Sequence, residues 1–307
     1  MPWDEQLLSL RPTNAMHPLG AGSRVPLFNG RHLLDALADG LTSLWLPRVE
    51  APAAVAGLLR AAAHARAALG LCLGSDAQAA TDWRHQARPG ALLQAVLDGL
   101  ADLDDPPPLC LHVEAPPVEG AGSPQADSVQ AHLAACLGAG FTSFGVDLGA
   151  CPEPERPALA ARLLEPALDL ELGWSARLPA EGGTREARVE HVVRQHQALR
   201  AAGLSPDLVL LPGPDELGDE AWYLAAGVTE RLAPCGVAWR SAGRKLKAPP
   251  AQVGVRALLG DVRLARTGLA DPDKLEALAY LDGLEYLEAL GARGSSQRVA
   301  DFLGRQH

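Results

Sequence analysis

Eight short apolar runs, each separated from the next by a stretch with helical spacing, constrain this chain more than any other feature. They fall at 43–49, 70–74, 108–113, 141–147, 168–172, 207–211, 235–239 and 261–265. Between most of them, through 51–69, 90–103, 125–139, 155–167, 185–202 and 218–232, apolar residues recur three and four apart. That spacing gives a helix one apolar face. The interval 240–260 is shorter and less regular. Parallel strands need a long crossover between them, so strand–helix alternation points to a parallel sheet. Eight such units within about 260 residues fit a closed (β/α)8 barrel better than an open sheet. No GxGxxG follows the first run, which counts against a dinucleotide-binding open sheet.

Residues 1–28 carry Pro, Gly and Asn with little periodicity. They read as an extended N-terminal arm, a candidate oligomer contact. "GRHLLDALADGL" then reads as a short amphipathic helix, and 272–304 as one or two helices against the barrel. The prolines of "ADLDDPPPL" and "LKAPPAQ" mark loops, not linkers, so 29–307 reads as a single domain.

A net charge of −10 and a pI near 5.4 exclude a nonspecific nucleic-acid binder, which needs a basic stripe to neutralise phosphates. Aromatic residues, at 4%, are too few for a base-stacking surface. The five cysteines are odd in number and form no CxxC, so reduced thiols in a cytoplasmic setting are expected. No apolar run reaches about 18 residues, the length that spans a bilayer. The start, "MPWDEQLLSL", has no signal-peptide pattern. There is no GxSxG and no P-loop.

A barrel of this kind gathers its chemistry at the carboxyl ends of its strands. That rule selects Arg48 and Glu50, Ser75 and Asp76, His112 and Glu114, Asp147, Glu171 with Trp174, Asp215 and Glu216, Trp239 to Arg244, and Arg266 with Thr267. Two groups emerge. Glu114, Asp147 and Glu171 form an acidic half, suited to acid–base work or to a hard cation. Arg48, Arg240, Ser241, Gly243, Arg244 and Arg266 form a basic half, suited to holding an anion. Each has a plainer alternative. Glu114 is also a solvated strand tip, Asp147 a turn cap, and Glu171 polar packing. The arginines double as a solvated loop, and His112 as a buried, hydrogen-bonded histidine.

The stretch "LHVEA", followed by a helix and "GAGFTSFGVDLG", resembles the class II fructose-bisphosphate and tagatose-bisphosphate aldolase family, whose third strand ends His-Leu-Asp-His-Gly. "LDLELG" resembles that family's "VEAELG", and the order of elements agrees over roughly residues 30–270. The resemblance implies a zinc-binding aldolase barrel, but the zinc histidines are missing. Ala115 stands where the first would be, "LLPGPDELG" has none, and "WRSAG" sets Trp239 at the last. Glu114 takes the place of the acid/base aspartate, and Ser241, Ala242 and Gly243 that of the phosphate-binding amides. Lys245, Lys247 and Lys274 lie outside the strands, so a Schiff-base mechanism is not indicated either.

Two expectations follow. One is an aldolase-like barrel binding a small anionic, sugar-phosphate-like metabolite, either as a zinc-independent lyase or isomerase or without turnover. Glu114, Asp147 and Glu171 would be its catalytic groups. No cofactor is expected; a carboxylate cluster leaves room for magnesium, not zinc. The other is a noncatalytic barrel, acting as a homodimer or as the partner subunit of an aldolase-like chain. Neither needs nucleic acid or membrane.

Overall fold

The computed structural model describes residues 3–20, 22–38, 42–49, 51–74, 89–241, 254–261 and 271–306. Eight strands succeed one another around a closed parallel barrel: β1 (Leu44–Arg48), β2 (Leu69–Gly74), β3 (Leu109–Glu114), β4 (Ser143–Asp147), β5 (Gly173–Arg177), β6 (Leu208–Leu211), β7 (Gly236–Ser241) and β8 (Val255–Asp261). The ring closes where β8 pairs with β1, from Leu44 opposite Ala257 to Arg48 opposite Asp261. This is the (β/α)8 barrel expected from the alternation.

Side chains alternate across each strand, and the barrel sorts them into two apolar clusters. Leu44, Leu46, Cys72, Cys110, Leu208, Leu210, Ala238, Ala257 and Leu259 point inward and fill the axis. Trp45, Leu71, Val113, Phe144, Trp174, Val209, Trp239 and Leu258 point outward and meet the helices. The outer layer includes α4 (Pro52–Ala65), α5 (Gly90–Leu100), α6 (Pro124–Gly138), α7 (Arg156–Leu168), α8 (Arg185–Ala201) and α10 (Glu220–Leu232). A short turn, α9 (Pro214–Leu217), precedes α10, and α11 (Pro272–Ala289) lies against α4. Their starts are chemically marked. Ser123 and Thr184 cap the backbone N–H groups of Ala126 and Ala187, and Pro124 opens α6 where a missing N–H costs nothing. The α4–α11 crossing is close because Gly57 has no Cβ; one there would run into the Glu276 carbonyl.

The amino ends of the strands are plugged by α3 (Gly30–Ala36). Asn29 accepts from Gly173 N at 2.8 Å and donates to Glu171 O at 3.0 Å. Arg31 pairs with Asp207, just before β6, at 2.7 Å. Phe28, Leu33 and Leu34 join the inner cluster, as do Trp3, Leu8 and, from α12 (Ser295–Gly304), Val299 and Leu303. The segment expected as an extended arm therefore differs from that expectation. It carries two short helices, α1 (Glu5–Leu8) and α2 (Thr13–Leu19), and packs on its own barrel. Trp3 meets Phe28 at 5.3 Å, and Asn14 donates to the carbonyls of Leu137 and Phe141.

Two strands lie elsewhere than the apolar runs suggest. The run 168–172 is not β5. α7 continues to Leu168, and Leu172 N donates to Ala167 O while Glu171 N donates to Leu168 O, the paired bonds of a Schellman closure. Glu171 occupies the left-handed position of that turn, with φ 53. The alternation in "LDLEL" is thus the last helical turn followed by its cap, and β5 begins at Gly173. β8 spans Val255–Asp261 rather than 261–265. It is buried on both faces, so "VRALLG" lacks the alternation of a half-exposed strand.

A left-handed glutamate is strained by about 1 kcal/mol relative to glycine. The Glu171→Gly variant is therefore expected to match or exceed the wild type in urea unfolding, by up to about 1 kcal/mol once the entropy of the extra glycine is subtracted. A loss of about 2 kcal/mol or more would give the Glu171 side chain a structural role that this turn does not require.

Candidate functional site

The carboxyl end of the barrel gathers charge. At this end the charged inward positions include Arg48 on β1, Glu114 on β3, Asp147 on β4, Arg177 on β5 and Arg240 on β7, and Asp261 closes β8 in register with Arg48. Glu114 is the hub and is only 7% exposed. Its Oε1 and Oε2 accept from Arg240 Nη2 at 3.1 and 3.0 Å, and Oε2 also accepts from Arg48 Nη2 at 3.4 Å. β3 and β7 stand on opposite sides of the ring, so the Glu114–Arg240 pair crosses the barrel mouth. Asp147 Oδ2 accepts from Arg177 Nη1 at 3.1 Å, and its Oδ1 accepts from Gly149 N at 2.9 Å. Asp147 therefore caps its turn and also anchors an arginine.

The electrostatics agree from both partners. Burial opposes ionisation of Glu114, but the guanidinium groups outweigh it and hold its carboxyl below the ordinary value. Burial likewise opposes the charge on Arg240, and Glu114 overcomes it, raising that pKa. His112, 2% exposed, sits one inward position below Glu114. Burial drives its pKa down to about 4, so the ring is neutral at pH 7. Its Nδ1 shares a hydrogen bond with Ser143 Oγ at 2.9 Å, the buried histidine that the plainer reading anticipates.

The loops beside Asp147 and Arg177 are fixed by buried polar groups. Arg156, 7% exposed, donates from Nε to Leu148 O and Cys151 O at 3.0 and 2.9 Å, and from Nη1 to Gln195 Oε1. Gln195 donates to Pro179 O at 2.8 Å, and Glu181 N donates to His191 Nδ1 at 3.0 Å. α8 thus ties down the backbone that follows both β4 and β5. A cavity of about 380 Å³ lies elsewhere, between Trp3, Leu7, Arg66, Pro106 and Gln297. It sits by the N-terminal segment and α12, away from the converging charges, and it is the charges that mark the candidate site.

Glu114, Asp147, Arg48 and Arg240 thus meet at one end, as the strand-end rule expects. Glu171 does not join them. It lies in the exposed turn that enters β5, a strand length away at the amino end, so the expected triad of acids is not formed. Ser241 ends β7, where its backbone pairs with Gly260. Gly243, Arg244 and Arg266 lie outside the described residues, as do Glu50, Ser75, Asp76, Lys245, Lys247 and Thr267. Arg177 was missed because β5 was placed five residues early. The signal was present: "GWSAR" alternates and ends on an arginine.

The positions that the family resemblance gives to zinc histidines carry no donors suited to the metal. Ala115 is apolar, the end of β6 runs Leu211-Pro212-Gly213, and Trp239 faces outward to meet Trp222 edge-on at 4.8 Å. The inward residue on β7 is Arg240. Among the described residues, no three His, Cys, Asp or Glu side chains converge to hold a metal ion. The residues present therefore do not fit a zinc centre.

Replacing Glu114 removes the carboxylate that Arg240 and Arg48 share. Glu114→Gln is expected to cost about 2 kcal/mol at pH 7, below the figure for a fully buried pair because Arg240 is 33% exposed. The sign of the pH effect follows from the depressed carboxyl. Its stabilisation is complete above the ordinary value of 4.5 and is lost as pH falls through the lower folded value. Urea unfolding between pH 7 and 3 should show a steeper acid loss in the wild type than in the variant; parallel curves would contradict the pairing.

No family model and no curated protein matches the sequence. Solved structures do match. The YdjI aldolase from Escherichia coli K12 aligns with a TM-score of 0.63 at 10% identity, covering 88% of this chain and 99% of its own. A putative fructose-1,6-biphosphate aldolase from Coccidioides immitis gives 0.63 at 14%, covering 88% and 98%. Fructose-bisphosphate aldolase from Campylobacter jejuni gives 0.60 at 15%, covering 88% and 97%. Such identities carry the fold alone, and the resemblance read from "LHVEA" and "GAGFTSFGVD" is matched at that level: the chain has the barrel of these aldolases over nearly their whole length.

Proposed function

We propose that this aldolase-like barrel, without a zinc centre, binds a small anionic ligand of sugar-phosphate type at the carboxyl ends of its strands. The observation that supports it best is Arg240. Glu114 fixes the guanidinium through Nη2 alone, while 33% of the side chain remains open to the mouth. Arg177 is similar: Asp147 takes its Nη1, and 35% of the side chain is exposed. A guanidinium carries five N–H donors, so both keep donors for an oxyanion.

Glu114 organises these arginines. An ionised, doubly paired carboxylate with a depressed pKa is a poor general acid at neutral pH and a weak base. That favours ligand binding without aldol cleavage, as in a noncatalytic or partner subunit, over a zinc-independent lyase or isomerase. The acids that would attract magnesium are each engaged by an arginine, whose charge opposes a second cation.

Isothermal titration at low salt with inorganic phosphate and with fructose 1,6-bisphosphate tests the proposal. Both should bind the wild type, and Arg240→Ala or Arg177→Ala should weaken each by roughly tenfold or more, the loss of one charge-assisted hydrogen bond. Silence with both anions would refute it. Measurable cleavage of fructose 1,6-bisphosphate by the metal-analysed protein would overturn the noncatalytic preference.

A further inference from the structure

We propose that the cavity beside the N-terminal segment is a second binding site, separate from the rim, for a small monocarboxylate with an apolar body.

The cavity holds about 380 Å³, within the roughly 300–1,000 Å³ of small-molecule sites. Trp3, Leu7, Ala63, Pro106, Pro107 and Ala300 give it apolar walls. These residues come from the N-terminal segment, α4, the loop before β3 and α12, and the chain pins those parts to one another. Trp3 is 5% exposed, meets Phe28 and donates from Nε1 to Pro106 O at 2.9 Å. Gly294 N donates to Ala65 O at 2.9 Å and Ser296 N to Arg66 O at 3.0 Å, so the start of α12 is tied to the end of α4. The walls are therefore fixed by contacts within the fold.

Arg66 supplies the charge. It ends α4 in the left-handed conformation, with φ 49, and its N–H donates to the carbonyls of Ala62 and Ala63. Glycine suits that position, and any larger residue is strained there. A cation gains from the helix carbonyls at this end, but one within the last turn would gain as much without the strain. The backbone thus gives no reason for arginine, whereas the cavity does. Arg66 lines it, and among the described residues no hydrogen bond or ion pair engages its guanidinium.

The other polar groups of the wall are in use. Asp105 is already engaged, and Gln297 donates from Nε2 to Asp301 at 2.7 Å. The charge left to meet is positive. A carboxylate answers a guanidinium with two parallel N–H···O bonds, while an apolar body covers the indole and the proline rings. A phosphate would pair with Arg66 too, but it brings more negative charge beside Asp105 and leaves the apolar walls uncovered.

Isothermal titration with 2-naphthoate and with octanoate tests the site, with 2-naphthalenemethanol as the neutral control. The wild type should bind at least one acid about tenfold more tightly than the alcohol; a flat ring or a chain as the preferred body supports the site equally. Arg66→Gly removes the guanidinium and relieves the strain. It should melt at or above the wild-type temperature, yet bind the acid about tenfold more weakly and lose the preference over the alcohol. Ala63→Leu sets a larger helix-forming side chain into the cavity and should weaken acid and alcohol alike. Arg240→Ala, at the rim, should leave the acid within about twofold of wild type. If neither acid binds the wild type, if the alcohol binds as tightly, or if Arg66→Gly and Ala63→Leu leave affinity unchanged, the site is refuted. Loss of the acid in Arg240→Ala with none in Arg66→Gly would place it at the rim and refute the second site while supporting the rim proposal.

Discussion

A closed parallel ring gives each strand one inward residue at its carboxyl end, and strand phase decides which residue that is. Among the charged residues of this chain the phase selects, on five of the strands, Arg48, Glu114, Asp147, Arg177 and Arg240. A shift of one residue on β7 would have pointed Trp239 at the axis and Arg240 at the helices. The phase is held from outside: Trp239 lies against Trp222 of α10, and Trp45 stacks on Tyr286 of α11 at 4.9 Å. The outer packing of large aromatic residues therefore sets the inner arrangement of charges.

That arrangement obeys the rule for buried charge. A carboxylate at 7% exposure stays ionised only if cations and hydrogen bonds replace its water. Glu114 has Arg240 from across the barrel and Arg48 from two strands away. In return it holds two long, flexible side chains in place, with part of their rotamer entropy already lost. Asp147 does the same for Arg177 while tying Gly149 into its turn.

The sequence made the barrel legible because eight apolar runs at regular spacing admit few other folds. It placed Glu114, Asp147, Arg48 and Arg240 at the carboxyl ends because each lies at, or within one residue of, the end of an apolar run. It failed at 168–172, where a helix end and its cap imitate strand alternation. That error carried Glu171 into the site and left Arg177 out. It also failed around β8, whose burial on both faces removes the alternation that marks a strand. The N-terminal arm misled for another reason: short helices with one or two anchoring residues, such as Trp3 and Leu8, leave almost no periodic signal. Partnerships across the ring, such as Glu114 with Arg240, lie beyond sequence spacing altogether, because they depend on which strands face each other.

A rim that carries guanidinium groups and no zinc-binding imidazoles has a chemical consequence that the fold does not alter. In the aldolases that the sequence resembles, zinc combines attraction for an oxyanion with the capacity to accept an electron pair. A guanidinium offers positive charge and directed N–H donors but no empty orbital. A mouth built from Arg48, Arg177 and Arg240 offers charge and direction to an anion. The electron sink for carbon–carbon cleavage is not among the functions that these side chains supply. The same barrel geometry thus carries a rim of a different chemical kind.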